Sequence, residues 1–482
     1  MEARNGTNIG AGSESALVAL ETDDEDEQPA TPRLIADHPL VSAAPATPRG
    51  ARIVLPIVVG TRPEAIKLVP VILALRESEY YEPLVVSTGQ HHKIVNYIFE
   101  LVGIKPDVTL WAGARHSELN ERVSSVMTRF EDFCAERFGA DQDRVHTAED
   151  ILNGRFPAAV LVHGDTSSAM AAALSAFHMR IPVMHVEAGL RTSSNLSPFP
   201  EELNREVITR VAALHFAPTS TNLQNLIREN VPVGQIFVTG NTGIDALQWA
   251  TTLDVRFANP ELQALCDSDR RVVVITAHRR ENWGDGLVDI GEGVARLAAA
   301  QPDVSFVLPL HPNPRVREVL GARLSGLDNV LLTEPLGYAT FARLLKRSYL
   351  VITDSGGVQE EAPSLGKPVL VLRETTERIE GIAAGTLRLI GTDPDRIVAE
   401  ASRLIEDPIA YAEMAHASNP YGDGKAAHRI VAALEHVLLG SDPPEQFGPG
   451  YSRHAIARAA GLALPESFAM HELDEATSIP QG

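Results

Sequence analysis

Short runs rich in β-branched residues punctuate the chain at regular intervals. The first, Arg52-Ile53-Val54-Leu55-Pro56-Ile57-Val58-Val59, has the length and apolar continuity of a buried strand. Gly60-Thr61-Arg62-Pro63-Glu64 breaks it, and Pro63 suits the first turn of a helix, where its missing N–H is not needed. That helix continues through Ile66, Leu68, Val69, Ile72 and Leu75. The same strand, turn and helix rhythm returns at 84–86, 159–162, 183–186, 215–217 and 236–238, then at 272–275, 306–308, 330–332, 350–352 and 369–372. Such alternation predicts parallel sheets with helices on both faces. About five strands precede residue 240 and about five follow. The prediction is two doubly wound α/β domains, 51–239 and 240–419, with a helix at about 420–440 returning to the first. The stretch 129–158 fits the rhythm poorly and reads as holding an irregular insertion around 139–150.

Residues 1–50 show neither period and contain the run Asp23-Asp24-Glu25-Asp26-Glu27. They bury too little apolar surface to offset ordering entropy and read as a disordered acidic tail. Residues 441–482 read as a peripheral tail with a short helix over 453–463. The chain has 482 residues and a formal net charge of −21. The two tails carry −6 and −4 of it, leaving −11 for residues 51–440. An acidic chain lacks the surplus of cations that sequence-independent nucleic-acid binding requires. No apolar run approaches the ~18 residues of a membrane span. Two cysteines, Cys134 and Cys266, make no disulfide framework. These features predict a cytoplasmic enzyme with no nucleic-acid or membrane partner.

In open parallel sheets, ligands bind outside the carboxyl ends of the strands. Five polar motifs fall there: Gly60-Thr61-Arg62, His163-Gly164-Asp165-Thr166, Glu187-Ala188-Gly189-Leu190-Arg191, Thr276-Ala277-His278-Arg279-Arg280-Glu281-Asn282 and Asp354-Ser355-Gly356-Gly357. Three come from the first domain and two from the second, which predicts one cleft between two sheets. Ser355-Gly356-Gly357 opens a helix, where free N–H groups favour an anion. Arg62, Lys67, Arg205, Arg279, Arg280 and Arg378 could share that anion. There is no G-x-G-x-x-G after the first strand and no Walker pattern, so a nucleotide diphosphate held by helix starts and arginines is favoured over a dinucleotide. Asp165, Glu187, Glu201 or Glu202, and His278 are the acid–base candidates. Carboxylates sharing a closed site with a histidine can shift one another toward neutrality. Each has a plain alternative: Asp165 as a helix cap, Glu187 paired with Arg191, Glu201 or Glu202 on a helix dipole, His278 as a buried imidazole, Gly356-Gly357 as a tight turn. His91-His92 and His163/His185 lack metal-ligand spacing, so no metal is expected.

These residues resemble the non-hydrolysing UDP-N-acetylglucosamine 2-epimerases. The matching stretches are Gly60–Lys67, His163–Thr166, His185–Thr192, Pro198–Arg205, Gly240-Asn241-Thr242, His278–Glu281, Thr353–Pro368, Thr375–Arg378 and Asn419–Gly424, together spanning roughly 52–438. The resemblance implies a GT-B fold, a homodimer, no cofactor and no metal. It implies inversion at carbon 2 of a UDP-sugar by elimination and re-addition of UDP through 2-acetamidoglucal. Asp165, Glu187, Glu201 and His278 fall on the family's catalytic positions. Arg62, Lys67, Arg205, Ser355, Gly356, Gly357, Glu361 and Arg378 match substrate-binding positions, with Glu361 toward the ribose hydroxyls and Phe341 by the uracil. Many bacterial members have a second, activating substrate site. Here Gln90-His91-His92-Lys93 departs from its usual motif, as does the stretch 111–122, so weak or absent activation is expected. The alternatives are an epimerase of a related UDP-sugar such as a diacetamido uronic acid, a hydrolysing member, a GT-B glycosyltransferase, and a binding protein.

Overall fold

A computed structural model describes residues 52–448 except 113–117, 142, 144–145, 193, 195 and 197. The expected acidic tail and the helix over 453–463 lie outside the described residues, as does part of 111–122. The chain divides into two units. One takes the described chain up to Thr242 and again from Lys425, and the other spans Gly243–Gly424.

The first unit holds a seven-stranded parallel sheet: β1 (Ile53–Val59), β2 (Tyr81–Ser87), β3 (Val108–Thr109), β4 (Val160–His163), β5 (Val183–Val186), β6 (Ala212–Ala217) and β7 (Ile236–Val238), in the order β3-β2-β1-β4-β5-β6-β7. β1, β4 and β5 are buried along their whole length, which is why they read as continuous apolar runs. The chain builds outward from β1 to β3, then crosses back to place β4 on the other side of β1. The adjacent β1 and β4 therefore form a topological switch point, where doubly wound sheets open a crevice. The helix Ala426–Leu439 returns to this unit and packs against Arg62–Glu77. Beyond it, Gln446 and Phe447 bond to Val238 of β7.

The second unit holds a six-stranded parallel sheet: β8 (Arg271–Thr276), β9 (Val304–Pro309), β10 (Val330–Thr333), β11 (Leu350–Thr353), β12 (Val369–Val371) and β13 (Leu387–Leu389), in the order β10-β9-β8-β11-β12-β13. Its switch point lies between β8 and β11. Ile275, Ile352 and Leu370 from its central strands, with Leu287, Ile290 and Leu297 from the helix Asp285–Ala300, form its core.

The irregular insertion expected around 139–150 is there: the helix Leu119–Phe138 is closed by Gly139, whose φ is 62°, the described residues from 139 to 147 belong to no helix or strand, and a short helix covers Ala148–Leu152. The burial of Val126, Phe130, Phe133 and Cys134 explains the amphipathic spacing of the longer helix. The strands β3 and β13 are additional to those expected. Both are edge strands of two or three residues, too short to show a period.

Candidate active site

The turn after β1 is held by one buried carboxylate. Glu64 Oε2 accepts from the backbone N–H of Gly60 at 2.9 Å, from that of Thr61 at 2.6 Å and from Thr61 Oγ1 at 2.9 Å. Its Oε1 accepts from Thr166 Oγ1 at 2.6 Å, tying the turn after β1 to the turn after β4 across the switch point. The sequence reading passed over Glu64, although its place three residues after Thr61 is a capping-box signature. Arg62 opens the helix Arg62–Glu77, and its charge lies close enough to Tyr97 to oppose the upward push of burial on that phenol.

Lys67, on the same helix, places Nζ 2.5 Å from Glu187 Oε2. His163 Nε2, at the end of β4, stands 3.3 Å from the same oxygen. Burial pushes the Glu187 carboxyl up, but Lys67 and His163 outweigh it and hold it well below the ordinary carboxylate range. This corrects two expectations. Glu187 is not moved toward neutrality, and Arg191 is not its partner: Arg191 donates to Glu229 at 2.5 and 2.9 Å. Glu187 also has a φ of 63°, in the left-handed region that non-glycine residues rarely adopt. Such strain persists where the surroundings over-determine it, as they do at functional sites. Next door, Gly189 has a φ of 91°, and a Cβ there would lie 2.3 Å from the Asn222 carbonyl oxygen.

Asp165 follows β4. It does not cap the next helix, because Thr166 does: its hydroxyl accepts from the Ala169 N–H at 3.0 Å. Asp165 Oδ2 instead accepts from Arg205 Nη2 at 2.5 Å, and Asn204 Nδ2 donates to the Asp165 carbonyl at 2.8 Å. Arg205 is buried in the helix Glu201–Val211 and also donates to Glu202 at 2.8 Å. Burial alone would lower the Arg205 pKa, but Asp165 and Glu202 raise it. Its guanidinium is thus committed to two carboxylates of this unit. Glu201 is the first residue of that helix, whereas the fully buried Glu202 meets Arg205 and accepts the Thr192 N–H at 2.8 Å.

In the second unit, His278 follows β8, and Asp354 and Ser355 follow β11, the two neighbours at that sheet's switch point. His278 Nδ1 stands 3.3 Å from Asp354 Oδ1, and its ring stacks on His311 with centroids 5.4 Å apart. Burial lowers the His278 pKa and Arg279 adds to this, while Asp354 opposes them. Ser355 caps the helix Gly356–Glu361, and Glu361 ends it, buried. A Cβ on Gly356 would sit 2.8 Å from Cζ of Arg378, so the guanidinium at the end of that side chain lies against the Gly356 backbone and would have to shift. Arg378 donates to Glu360 at 2.9 Å and to Glu377 at 3.1 Å. Arg373 bridges Glu281 at 2.5 Å and Glu377 at 3.0 Å. This string of alternating charges holds the arginines at the carboxyl ends of β11 and β12. Phe341 is half-buried in the helix Tyr338–Arg347 that follows β10. Among the described residues, no group of three or more histidines, cysteines or carboxylates is arranged to hold a metal ion.

A family model described as UDP-N-acetylglucosamine 2-epimerase matches residues 142–435. The UDP-N-acetylglucosamine 2-epimerase of Salmonella typhimurium is 45% identical over 385 residues, covering 78% of this chain and 97% of the relative. A solved structure from Listeria monocytogenes has a TM-score of 0.74 at 43% identity and covers 83% of this chain and 100% of that one. Another, the UDP-GlcNAc 2-epimerase of Neisseria meningitidis bound to UDP-GlcNAc, has a TM-score of 0.68 at 40% identity, covering 79% of this chain and 99% of that one. The family and the GT-B class of paired parallel sheets that the motifs implied are both borne out.

Proposed function

The chain belongs to the UDP-N-acetylglucosamine 2-epimerase family, and on that premise we propose that it interconverts UDP-N-acetylglucosamine and UDP-N-acetylmannosamine by inverting carbon 2. The observation that carries this reading is the pair Asp165 and Glu187. They stand after the adjacent strands β4 and β5, and each is bound to its own cation. Carbon 2 of the sugar loses its proton to a carboxylate, and the electron pair of that C–H bond becomes the carbon 1–carbon 2 double bond. The carbon 1–oxygen bond breaks, and its electrons leave with the UDP diphosphate. The product is 2-acetamidoglucal. In return, UDP adds its oxygen to carbon 1, and carbon 2 takes a proton on its other face. We assign the handling of the carbon 2 proton, on its two faces, to Asp165, Glu187 and Glu201. Glu187 is ionised under the hold of Lys67, so it enters turnover as a base rather than an acid. His278 stabilises the departing diphosphate, with Arg62 and Arg378, Ser355 and the Gly356-Gly357 turn on the nucleotide side. Glu361 takes the ribose hydroxyls and Phe341 the uracil. Arg205, tied to Asp165, reaches substrate through that carboxylate.

The alternatives make different demands. A glycosyltransferase would need a nucleotide-sugar site but no set of carboxylates dedicated to a sugar C–H proton. An epimerase of a related UDP-sugar would use the same groups, yet the relatives' names point to the N-acetylglucosamine substrate. The working form we propose is a cytoplasmic homodimer, and sedimentation as a single chain would contradict the dimer.

The test is incubation with UDP-N-acetylglucosamine in heavy water, followed by proton NMR. Deuterium at carbon 2 in a mixture of both epimers is expected. Free UDP with N-acetylmannosamine would mean a hydrolase, and an unchanged substrate would remove the proposal.

A further inference from the structure

Asp354 is the most completely enclosed carboxylate of the second unit, with 0% of its surface exposed. Its Oδ2 accepts three hydrogen bonds: from the backbone N–H of His278 and of Arg279, both at 2.8 Å, and from Asn282 Nδ2 at 3.1 Å. Asn282 is itself fixed by a second bond, at 3.1 Å, to the carbonyl of Leu372. All three donors come from the loop that carries His278, so carboxylate and imidazole are held as one body. The other oxygen, Oδ1, makes no hydrogen bond among the described residues and stands 3.3 Å from His278 Nδ1. A buried carboxylate oxygen without a donor is costly, and a ring N–H at that distance is the donor it calls for.

We propose that Asp354 is a positioning residue for His278. It accepts the Nδ1 proton, which fixes the tautomer and the turn of the ring and leaves Nε2 as the nitrogen that meets an anion. A carboxylate in this place also stabilises the charged imidazolium, the form that can donate to a departing diphosphate. His311 completes the arrangement from the loop after β9, its ring stacked at 12° to that of His278. The charged and titratable groups facing His278 are therefore Asp354, His311 and Arg279, with Arg317 acting on His311 from behind. Burial and Arg279 favour the neutral ring, and Asp354 is the group that opposes them. The inference rests on the assignment of His278 to the leaving diphosphate.

The experiment uses the full chain labelled with nitrogen-15 histidine, with the His278 signals identified by their loss in His278→Asn. At a pH where the ring is neutral, the wild-type protein should carry its proton on Nδ1. In Asp354→Asn the ring should titrate about one pH unit lower, because an adjacent opposite charge has been removed. A wild-type ring protonated on Nε2, or a titration unchanged in the variant, overturns the proposal. The first of these readings needs no variant to fold. In turnover, Asp354→Asn should lower kcat about 10²-fold with little change in KM, and should move the alkaline limb of the pH profile to lower pH. It should cost nothing further in the His278→Asn background, and an equal loss in both backgrounds would overturn the pairing. Normal turnover by His278→Asn alone would instead refute the role given to His278, while the tautomer would still judge the contact with Asp354.

Discussion

In the seven-stranded unit, the candidate groups after β4 and β5 are carboxylates, and each has a cation as partner: Lys67 on Glu187 and Arg205 on Asp165. In the six-stranded unit, the candidate groups after β8 and β12 are an imidazole and an arginine, and the carboxylates are the partners: Asp354 on His278, Glu360 and Glu377 on Arg378. One unit presents negative charge backed by positive, and the other presents positive backed by negative. The polarity matches the two halves of an elimination, a proton taken from carbon and an anion released from it. On the proposed assignment, a chain of net charge −21 can still hold a diphosphate, because the bulk sum says nothing about a half-buried arginine such as Arg378 held by acids of its own unit.

The largest effect should come from silencing the carboxylates. Asp165→Asn and Glu187→Gln, made separately, are each expected to lower kcat about 10³-fold, within the range for a lost general acid or base. Near-normal turnover in both would break the comparison on its proton side. A smaller but more informative effect is expected from Lys67→Met. In the wild type, the ionised Glu187 contributes stability that is complete above the ordinary carboxyl value of 4.5 and is lost as pH falls below it. Without Lys67, burial prevails and the carboxyl titrates higher. The variant should then lose about 3 kcal/mol at pH 7, as for a buried pair broken on one side, and the gap should narrow in acid. Thermal melts at pH 7 and pH 4 measure this, and a gap that widens in acid would mean that Lys67 does not hold Glu187 ionised. The acid limb of its rate profile should also move up in pH.

Gly356→Ala tests the other side. The added methyl would displace the Arg378 guanidinium, so KM should rise about tenfold with kcat little changed, the mark of lost ground-state binding. A fall in kcat at constant KM would give that region a part in the chemical step instead. The smallest effect is expected from Gln90→Ala, which removes the acceptor of a 2.8 Å bond from Ser168. Substrate saturation should be hyperbolic before and after the change. Sigmoidal kinetics that vanish in the variant would reveal an activating site.

Most of the sheet architecture was legible because buried parallel strands announce themselves as apolar runs, as 53–59 and 272–275 do. The edge strands 108–109 and 387–389 were not, since two or three residues carry no period. The helix Leu119–Phe138 was hidden by its many charged positions, although Phe130 and Cys134 are buried. That the candidate residues lie at strand ends was legible, but their partners were not. Glu187 bonds to a lysine 120 positions away rather than to Arg191 four positions on, and Asp165 to an arginine 40 positions away. Such choices depend on which helix the crossover places beside which strand. Direction of pKa went with them: with Lys67 unseen, a buried Glu187 reads as a raised carboxyl.

The central claim is a division of labour in which proton loss at carbon 2 and release of the diphosphate belong to one elimination. UDP-N-acetylglucosamine carrying oxygen-18 in the bond between carbon 1 and the β-phosphorus, incubated with the full chain in heavy water, tests it most directly. Recovered substrate should show deuterium at carbon 2 together with oxygen-18 spread into the non-bridging positions of that phosphorus. Deuterium at carbon 2 with the label still wholly in the bridge, and with no free UDP or 2-acetamidoglucal in the quenched mixture, would contradict the account, because the proton would then exchange without the bond to the diphosphate breaking.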